Sequence, residues 1–172
     1  LADLTLPNAN VWYELGVRHA LRARGLRAVG MKPVASGCER TAEGWRNADA
    51  LALWQASQPR PAYADLNPFA LPEPLAPELA ARAAGVQVGL EPILAAYARL
   101  QAQADAVVVE GVGGWAAPLA ATIDQADLVR ALSGQAVQAP RVMDDAERTQ
   151  RSVTPRGCTW LTSPAVAVDP AA

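Results

Sequence analysis

The sequence predicts an α/β fold in which a parallel sheet is flanked by helices. Two short apolar segments, residues 30–37 and 107–115, each have the pattern of a buried strand that ends in a glycine-bearing loop. Helical patterns alternate with these segments, which is typical of parallel sheets. One ionisable side chain stands at each strand exit, Lys32 in the first and Glu110 in the second. Because ligands bind outside the carboxyl ends of such strands, the two exits predict an enzyme-like site for an anion and a metal.

The first predicted element is a helix over residues 13–24, which is followed by a strand. Apolar residues with i, i+4, i+7 and i+8 spacing form one stripe along this helix, and Gly25 supplies its C-terminal stop. Residues 26–34 are predicted to form the strand. Pro33 interrupts it near its end, because proline has no N–H group to donate.

A second helix is predicted over residues 48–57. Asn47 precedes it as a good N-cap, and Asp49 lies in its first turn, where a carboxylate complements the helix dipole. The proline-rich residues 59–77 are predicted to be mostly loop.

Three more helices and one strand are predicted further along the chain. Pro77 and Pro92 suit the first turns of two helices, over residues 78–84 and from residue 92 onward. The strand covers residues 106–109, a continuous apolar run of the kind that is buried on both faces of a parallel sheet. The last helix covers residues 124–132.

The C-terminal segment is predicted to be less regular. Residues 133–172 show no helical stripe and only weak strand candidates, at 159–161 and 165–168, so we expect a mainly irregular tail. The whole chain, residues 1–172, is expected to form one domain, because this is an ordinary single-domain length.

The composition indicates a globular protein of the cytoplasm. Hydrophobic residues make up 51% of the chain and charged residues 19%, and the net charge is −2. No basic face is evident, so nucleic acid is not an expected partner. No apolar run reaches the roughly 18 residues of a membrane span, so no membrane association is expected. Cys38 and Cys158 lack metal-ligand spacing and predict the reduced thiols of a cytoplasmic protein.

Lys32 is a candidate for binding an anion. It is a compact cation at a strand exit, which suits phosphate or carboxylate oxygens. Ser36 and Gly37 add a hydroxyl group and a backbone that a ligand can approach closely. Taken alone, a solvated lysine at a strand end explains the same residue.

Glu110 and Asp49 are candidates for a Mg²⁺ site. Glu110 emerges where three valines end, and Mg²⁺ commonly takes one or two carboxylates together with phosphate oxygens. The glycines that follow, Gly111 among them, allow backbone N–H groups to approach phosphate. The alternatives are a tight turn with a surface glutamate and an aspartate that only caps its helix.

Taken together, these residues resemble the dethiobiotin synthetase family. The matching text is Gly-Met-Lys-Pro-Val-Ala-Ser-Gly at residues 30–37, Glu-Gly-Trp-Arg-Asn-Ala-Asp-Ala-Leu-Ala-Leu at residues 43–53, and Val-Glu-Gly-Val-Gly-Gly-Trp at residues 109–115. Their order and spacing hold over about residues 19–132.

This resemblance implies a P-loop NTPase-like fold and a homodimeric, ATP- and Mg²⁺-dependent cyclo-ligase of biotin biosynthesis. Members of the family join carbon dioxide to the diamine 7,8-diaminononanoate. ATP phosphorylates the resulting carbamate, and the second amine then closes a cyclic urea.

The resemblance also implies roles for individual residues. Lys32 would be catalytic and would stabilise the carbamate and the transferring phosphate, and Ser36 would bind the substrate. The residues implied to bind the nucleotide, the first two of which would also hold Mg²⁺, are Asp49, Glu110, Gly111, Val112 and Gly113.

The chain departs from the family at the ATP-binding loop. The family has a Walker A-type loop ending in G-K-[ST] before its first helix, whereas here the phosphate lysine falls on Asn10 and the metal hydroxyl on Val11. Because no Walker A motif is recognisable, we expect weak ATP binding and feeble or absent turnover. Two alternatives stay open: a non-catalytic remnant or dimerisation module without ATP turnover, and a related P-loop ATPase.

Overall fold

The computed structural model describes residues 25–134 and 158–161, together with Gly16, which is helical. Apart from Gly16, the helix predicted over residues 13–24 lies outside the described residues. So do Asn10, Val11 and the strand candidate at 165–168.

The described chain forms short strands and helices. In chain order they are β1 (Ala28–Met31), β2 (Val34–Ala35), β3 (Glu39–Thr41), β4 (Gly44–Arg46), α1 (Ala48–Ala56), α2 (Tyr63–Leu66), β5 (Phe69–Ala70), α3 (Pro77–Ala83), α4 (Leu90–Gln103), β6 (Ala106–Glu110), β7 (Pro118–Ala120), β8 (Ile123–Asp124), α5 (Gln125–Leu132) and β9 (Cys158–Leu161).

The main sheet is parallel and has the strand order β1-β6-β9. Every residue of β1 and β6 is buried, as expected of strands covered on both faces. Helix α1 packs on β1, and α4 packs on β6. The predicted α/β fold, with a parallel sheet flanked by helices, is therefore confirmed.

In the described part of the chain, three two-stranded sheets accompany the main sheet. Strands β2 and β5 are parallel, whereas β3–β4 and β7–β8 are antiparallel pairs. No pattern in the sequence analysis predicted the β3–β4 hairpin.

The helix predictions for the described residues are confirmed to within one or two positions. Asn47 caps α1 as expected, because its Oδ1 accepts hydrogen bonds from the N–H groups of Asp49 and Ala50 at 3.0 and 3.1 Å. Helix α5 begins one residue later than predicted, because Asp124 is its N-cap. Helix α4 begins at Leu90, two residues before the proline that was expected to open it.

One strand prediction was wrong, and one loop prediction was confirmed but incomplete. The strand predicted over residues 26–34 is confined to β1, and Val34 belongs to a separate strand that pairs with β5. Residues 59–77 are mostly loop, as predicted, but they also contain the short elements α2 and β5. Both differences arise from long-range contacts, since the Lys32 N–H donates to the Leu66 carbonyl oxygen at 2.8 Å and so fastens the end of β1 to α2.

The tail also differs in part from the expectation. The weak strand candidate at residues 159–161 is confirmed as most of β9, which pairs in parallel with β6 and extends the main sheet. A mainly irregular tail was therefore wrong for this segment. The rest of residues 135–172 lies outside the described part of the chain.

The core lies between the main sheet and the helices. Its largest cluster joins β1 and β6 to α3, α4 and α5, with Met31, Ile93, Leu100 and Leu128 among its fully buried members. At Gly30, a Cβ atom would lie 2.7 Å from the Leu53 Cβ, so α1 lies directly on the strand. Among the described helices, none has the length and apolar character needed to cross a membrane.

Candidate functional site

The parallel pairing of β1 and β6 brings Lys32 and Glu110 together. Met31 lies opposite Val109 in the register, so Lys32 and Glu110 are the next residues on adjacent strands. The Lys32 Nζ donates to the Glu110 Oε1 at 2.7 Å, and each residue is only 4% exposed. A solvated lysine and a surface glutamate, the alternatives considered from sequence, are therefore both wrong.

Asp49 completes a three-residue cluster, which we call the Lys32 cluster (Lys32, Asp49 and Glu110). Its Oδ2 lies 3.5 Å from the Lys32 Nζ, and its side chain is 24% exposed. The first turn of α1 presents this carboxylate, because Asn47 holds the start of the helix. The two carboxylates therefore converge on one ammonium group, which brings them close enough to each other to act as a pair of metal ligands.

Ser36 is connected to the cluster through the backbone. Its carbonyl oxygen accepts a hydrogen bond from the Asn47 Nδ2 at 3.3 Å, so the residue lies beside the cap of the helix that bears Asp49. The Asn47 N–H donates to the Tyr63 hydroxyl oxygen at 3.0 Å, and the Arg46 guanidinium lies over the Tyr63 ring, 4.1 Å from its centroid. This arrangement braces the helix start from the side of the β3–β4 hairpin.

The backbone of Lys32 is held by Asn67. The Asn67 Nδ2 donates to the Lys32 carbonyl oxygen at 2.7 Å, and the residue is 3% exposed. Sequence reasoning gave Asn67 no role in positioning Lys32. An asparagine directly before a proline suggests a turn, but it does not reveal which distant carbonyl the amide binds.

The loop after β6 passes close to the Lys32 ammonium group. The Gly111 carbonyl oxygen lies 3.4 Å from the Lys32 Nζ. The Val112 N–H donates to the Gln125 Oε1 at 3.4 Å, and Gly113 adopts φ +71°, a conformation that glycine accommodates without strain. Gln125, which sequence reasoning missed entirely, is fully buried against this loop.

The carboxylates suit a hard divalent cation. The Glu110 Oε2 is buried and has no hydrogen-bond partner among the described residues, so within this part of the chain it is an oxygen that could serve as a metal ligand. Those described residues hold no group of three or more histidine, cysteine, aspartate or glutamate side chains that could bind a metal by themselves. Two carboxylates nevertheless fit Mg²⁺, which keeps several water or phosphate ligands.

Lys32 is the only lysine in the chain, and the other basic residues are arginines and one histidine, His19. The one side-chain ammonium group is therefore buried at the end of β1. An arginine at this position would present a planar fork in place of a point charge.

Cys38 lies near the cluster, but its thiol is not ionised. Burial raises the pKa of its thiol, which outweighs the opposing effects of a backbone hydrogen bond at Leu71 and of the Lys32 charge. The thiol is therefore protonated near neutral pH. Cys38 is a free, buried cysteine, which is consistent with a packing role.

Comparison with known proteins yields one family match and several close relatives. A family model described as "AAA domain" matches residues 15–137. The chain is 76% identical over 114 residues to the ATP-dependent dethiobiotin synthetase BioD of Xanthomonas oryzae pv. oryzae strain PXO99A, which covers 66% of this chain and 51% of that protein. It is 69% identical over 114 residues to the proteins of the same name from Xanthomonas campestris pv. campestris strain ATCC 33913 and Xylella fastidiosa strain 9a5c, again over 66% of this chain. The chain spans about half the length of these relatives.

Proposed function

The chain belongs to the AAA domain family, a P-loop NTPase-like fold, and from this premise we propose that it serves the ATP- and Mg²⁺-dependent closure of 7,8-diaminononanoate and carbon dioxide to dethiobiotin. Its predicted resemblance to dethiobiotin synthetases is confirmed by relatives that are 69–76% identical to it. The chain spans about half the length of those relatives. We therefore base the proposal only on residues that are present in this chain.

The observation that carries the proposal is the buried ammonium group of Lys32. A carbamate and a phosphoryl group are both anionic, and a cation fixed in a water-poor site stabilises the charge that develops on them. The Lys32 Nζ is held in place from two sides, by the Glu110 Oε1 at 2.7 Å and the Asp49 Oδ2 at 3.5 Å. Such a group needs little reorganisation when the anion arrives.

The proposed reaction proceeds in two bond exchanges after one amine has captured carbon dioxide. A carbamate oxygen takes the terminal phosphoryl group of ATP, and ADP leaves. The nitrogen of the second amine then attacks the carbamate carbon, and phosphate leaves as the ring closes. Lys32 neutralises the carbamate and the transferring phosphoryl group, and Ser36 donates a hydrogen bond to the substrate.

Asp49 and Glu110 would hold Mg²⁺, and the residues proposed to line the nucleotide beside them are Gly111, Val112 and Gly113. When bound, Mg²⁺ supplies positive charge to the phosphate oxygens of ATP. The buried Glu110 Oε2 supports this assignment, because Lys32 pairs with the other oxygen of this carboxylate and Oε2 has no hydrogen-bond partner among the described residues, so it is the oxygen that could bind the metal. The proposed assembly is a cytoplasmic homodimer that acts on small molecules.

Selective labelling of the single lysine tests the substrate assignment. In a chain labelled with ¹⁵N-lysine, the side-chain resonance reports Lys32 alone, and we expect it to shift when 7,8-diaminononanoate and bicarbonate are added together. Lys32→Met should abolish the calorimetric heat of this binding, whereas Arg82→Met, which removes an exposed positive charge, should leave it unchanged. An unshifted resonance at millimolar substrate in a folded chain would contradict the proposal.

A non-catalytic remnant is the competing function, and it is favoured by Asn10 and Val11 at the positions of the Walker A lysine and hydroxyl. Calorimetry with Mg²⁺-ATP separates the two. Binding at micromolar nucleotide rules out the remnant, whereas diamine binding without nucleotide binding indicates a chain that retains only the substrate half of the site.

A further inference from the structure

A buried amide that the proposed mechanism does not use lies beside the loop after β6. Gln125 is the first residue of α5 and is fully buried. A capping box fixes its position, because the Asp124 Oδ1 accepts from the Asp127 N–H at 2.7 Å and the Asp127 Oδ2 accepts from the Asp124 N–H at 3.2 Å. Its side chain therefore extends from a helix start that is itself well anchored.

Gln125 holds both ends of the loop formed by residues 111–117, which we call the glycine loop. Its backbone N–H donates to the Ala117 carbonyl oxygen at 3.0 Å, and its Oε1 accepts from the Val112 N–H at 3.4 Å. The amide also lies on Gly111, where a Cβ atom would come within 2.6 Å of the Gln125 Nε2. Glycine at position 111 and glutamine at position 125 are therefore fitted to each other.

The glycine loop in turn faces the Lys32 ammonium group. The Gly111 carbonyl oxygen lies 3.4 Å from the Lys32 Nζ, on the residue that the Gln125 amide covers. We propose that Gln125 is a positioning residue that sets the path of the glycine loop and, through the Gly111 carbonyl group, the placement of the Lys32 ammonium group for its anionic substrate. The substrate part of this inference rests on the proposed function.

The unpaired donor of Gln125 argues against a simple packing role. Its Nε2 is buried without a hydrogen-bond partner among the described residues, and an unmatched buried donor is costly. A methionine would fill a similar length without that cost. The amide therefore contributes through its oxygen and its contact with Gly111 rather than through buried volume.

The test compares Gln125→Met, which removes the amide, with Gln125→Glu, which keeps an acceptor oxygen. Gln101→Met, at an exposed glutamine of α4, is the matched control. Amide hydrogen exchange is measured at Val112 and, as an internal reference, at Val108 in the buried strand β6. The single ¹⁵N-lysine side-chain resonance and the affinity for 7,8-diaminononanoate with bicarbonate are measured in the same samples.

In Gln125→Met we expect exchange at Val112 to accelerate about three- to tenfold relative to Val108, which is the effect of losing one hydrogen bond. The Lys32 side-chain resonance should move and the affinity for the diamine with bicarbonate should fall by a similar factor. Gln125→Glu should keep Val112 protected, and Gln101→Met should change none of these quantities.

Two results would overturn the inference. The first is an unchanged exchange rate at Val112 in folded Gln125→Met. The second is acceleration at Val112 and Val108 by the same factor, because that indicates only global destabilisation. An unmoved Lys32 resonance, with Val112 accelerated, overturns the link to Lys32. A wild-type chain that protects Val112 but binds no diamine with bicarbonate overturns the proposed function instead, and the exchange result still decides the role of Gln125. If Gln125→Glu does not fold, the comparison of Gln125→Met with Gln101→Met decides alone.

Discussion

Replacing Lys32 by methionine tests whether its ammonium group holds the cluster together. Methionine keeps nearly the same length and flexibility and removes the charge. Glu110 then stays buried without the cation that lies 2.7 Å from its Oε1. We expect the free energy of unfolding to fall by about 3–5 kcal/mol, which is the usual cost of deleting one partner of a buried ion pair.

The distances and burial set this magnitude. At an effective dielectric constant of about 20, unit charges at the 2.7 Å of the Lys32–Glu110 pair attract each other by about 6 kcal/mol. The desolvation of both side chains, which are 6% and 5% exposed, offsets part of that attraction. Asp49 adds less, because its Oδ2 is 3.5 Å away and its side chain is 24% exposed to screening water.

Urea unfolding at pH 7, followed by circular dichroism, measures the effect. The matched control is Arg82→Met, which removes an exposed positive charge and should cost less than about 1 kcal/mol. The double variant Lys32→Met/Glu110→Gln should recover most of the loss, because the neutral amide leaves no buried charge without a partner.

A loss in Lys32→Met no larger than that in Arg82→Met would refute this reasoning, since the pair would then behave like an exposed ion pair. Equal instability of Lys32→Met and of the double variant would refute it as well. In that case packing around the lysine stem, rather than an unpaired Glu110 carboxylate, would account for the loss.

Three further substitutions test the surroundings of the site by the same unfolding measurement. Gly30→Ala should destabilise the chain by about 1–3 kcal/mol, because the added Cβ would lie 2.7 Å from the Leu53 Cβ; a stability equal to wild type would show that α1 can move away freely. Asn47→Ala should cost about 1 kcal/mol, because α1 loses its side-chain cap, and Asn47→Asp should restore most of it. Asp105→Asn should lower stability at pH 5 and above, because hydrogen bonds from Arg27 lower the pKa of the Asp105 carboxyl group from 3.8 to about 2. Because this pKa is lower in the folded than in the unfolded chain, the ionised Asp105 carboxyl group stabilises the fold at pH values above the unfolded pKa. This stabilisation is lost as the pH falls through the folded pKa, so the difference in unfolding free energy between wild type and Asp105→Asn should shrink between pH 4 and pH 2.

The parts of the fold that the sequence predicted depend on contacts between near neighbours. Helix α1 follows from Asn47 and the residues directly after it, and α3 and α5 follow from capping residues or a first-turn proline. Helix α2 and strand β5 could not be predicted in this way. Leu66 is fully buried, and its carbonyl oxygen receives the Lys32 N–H from 34 positions earlier in the chain. The segment looks like a loop when only its prolines are considered.

The residues of the site also divide into those that the sequence could predict and those that it could not. Residue types at the two strand exits were enough to select Lys32 and Glu110, but each residue alone was also compatible with a surface position, and for Lys32 the surface position was favoured. The register of β1 and β6 decides between a buried and a surface position, because Met31 lies opposite Val109 and the two following residues are therefore neighbours. A slip of one position would turn every side chain of the strand to the other face of the sheet. Once paired, the ammonium and carboxylate groups can be buried together at a cost that neither could bear alone. Gln125 could not be predicted in this way. Its partners are a backbone N–H group and a glycine, and contacts of this kind leave no pattern of side chains in the sequence.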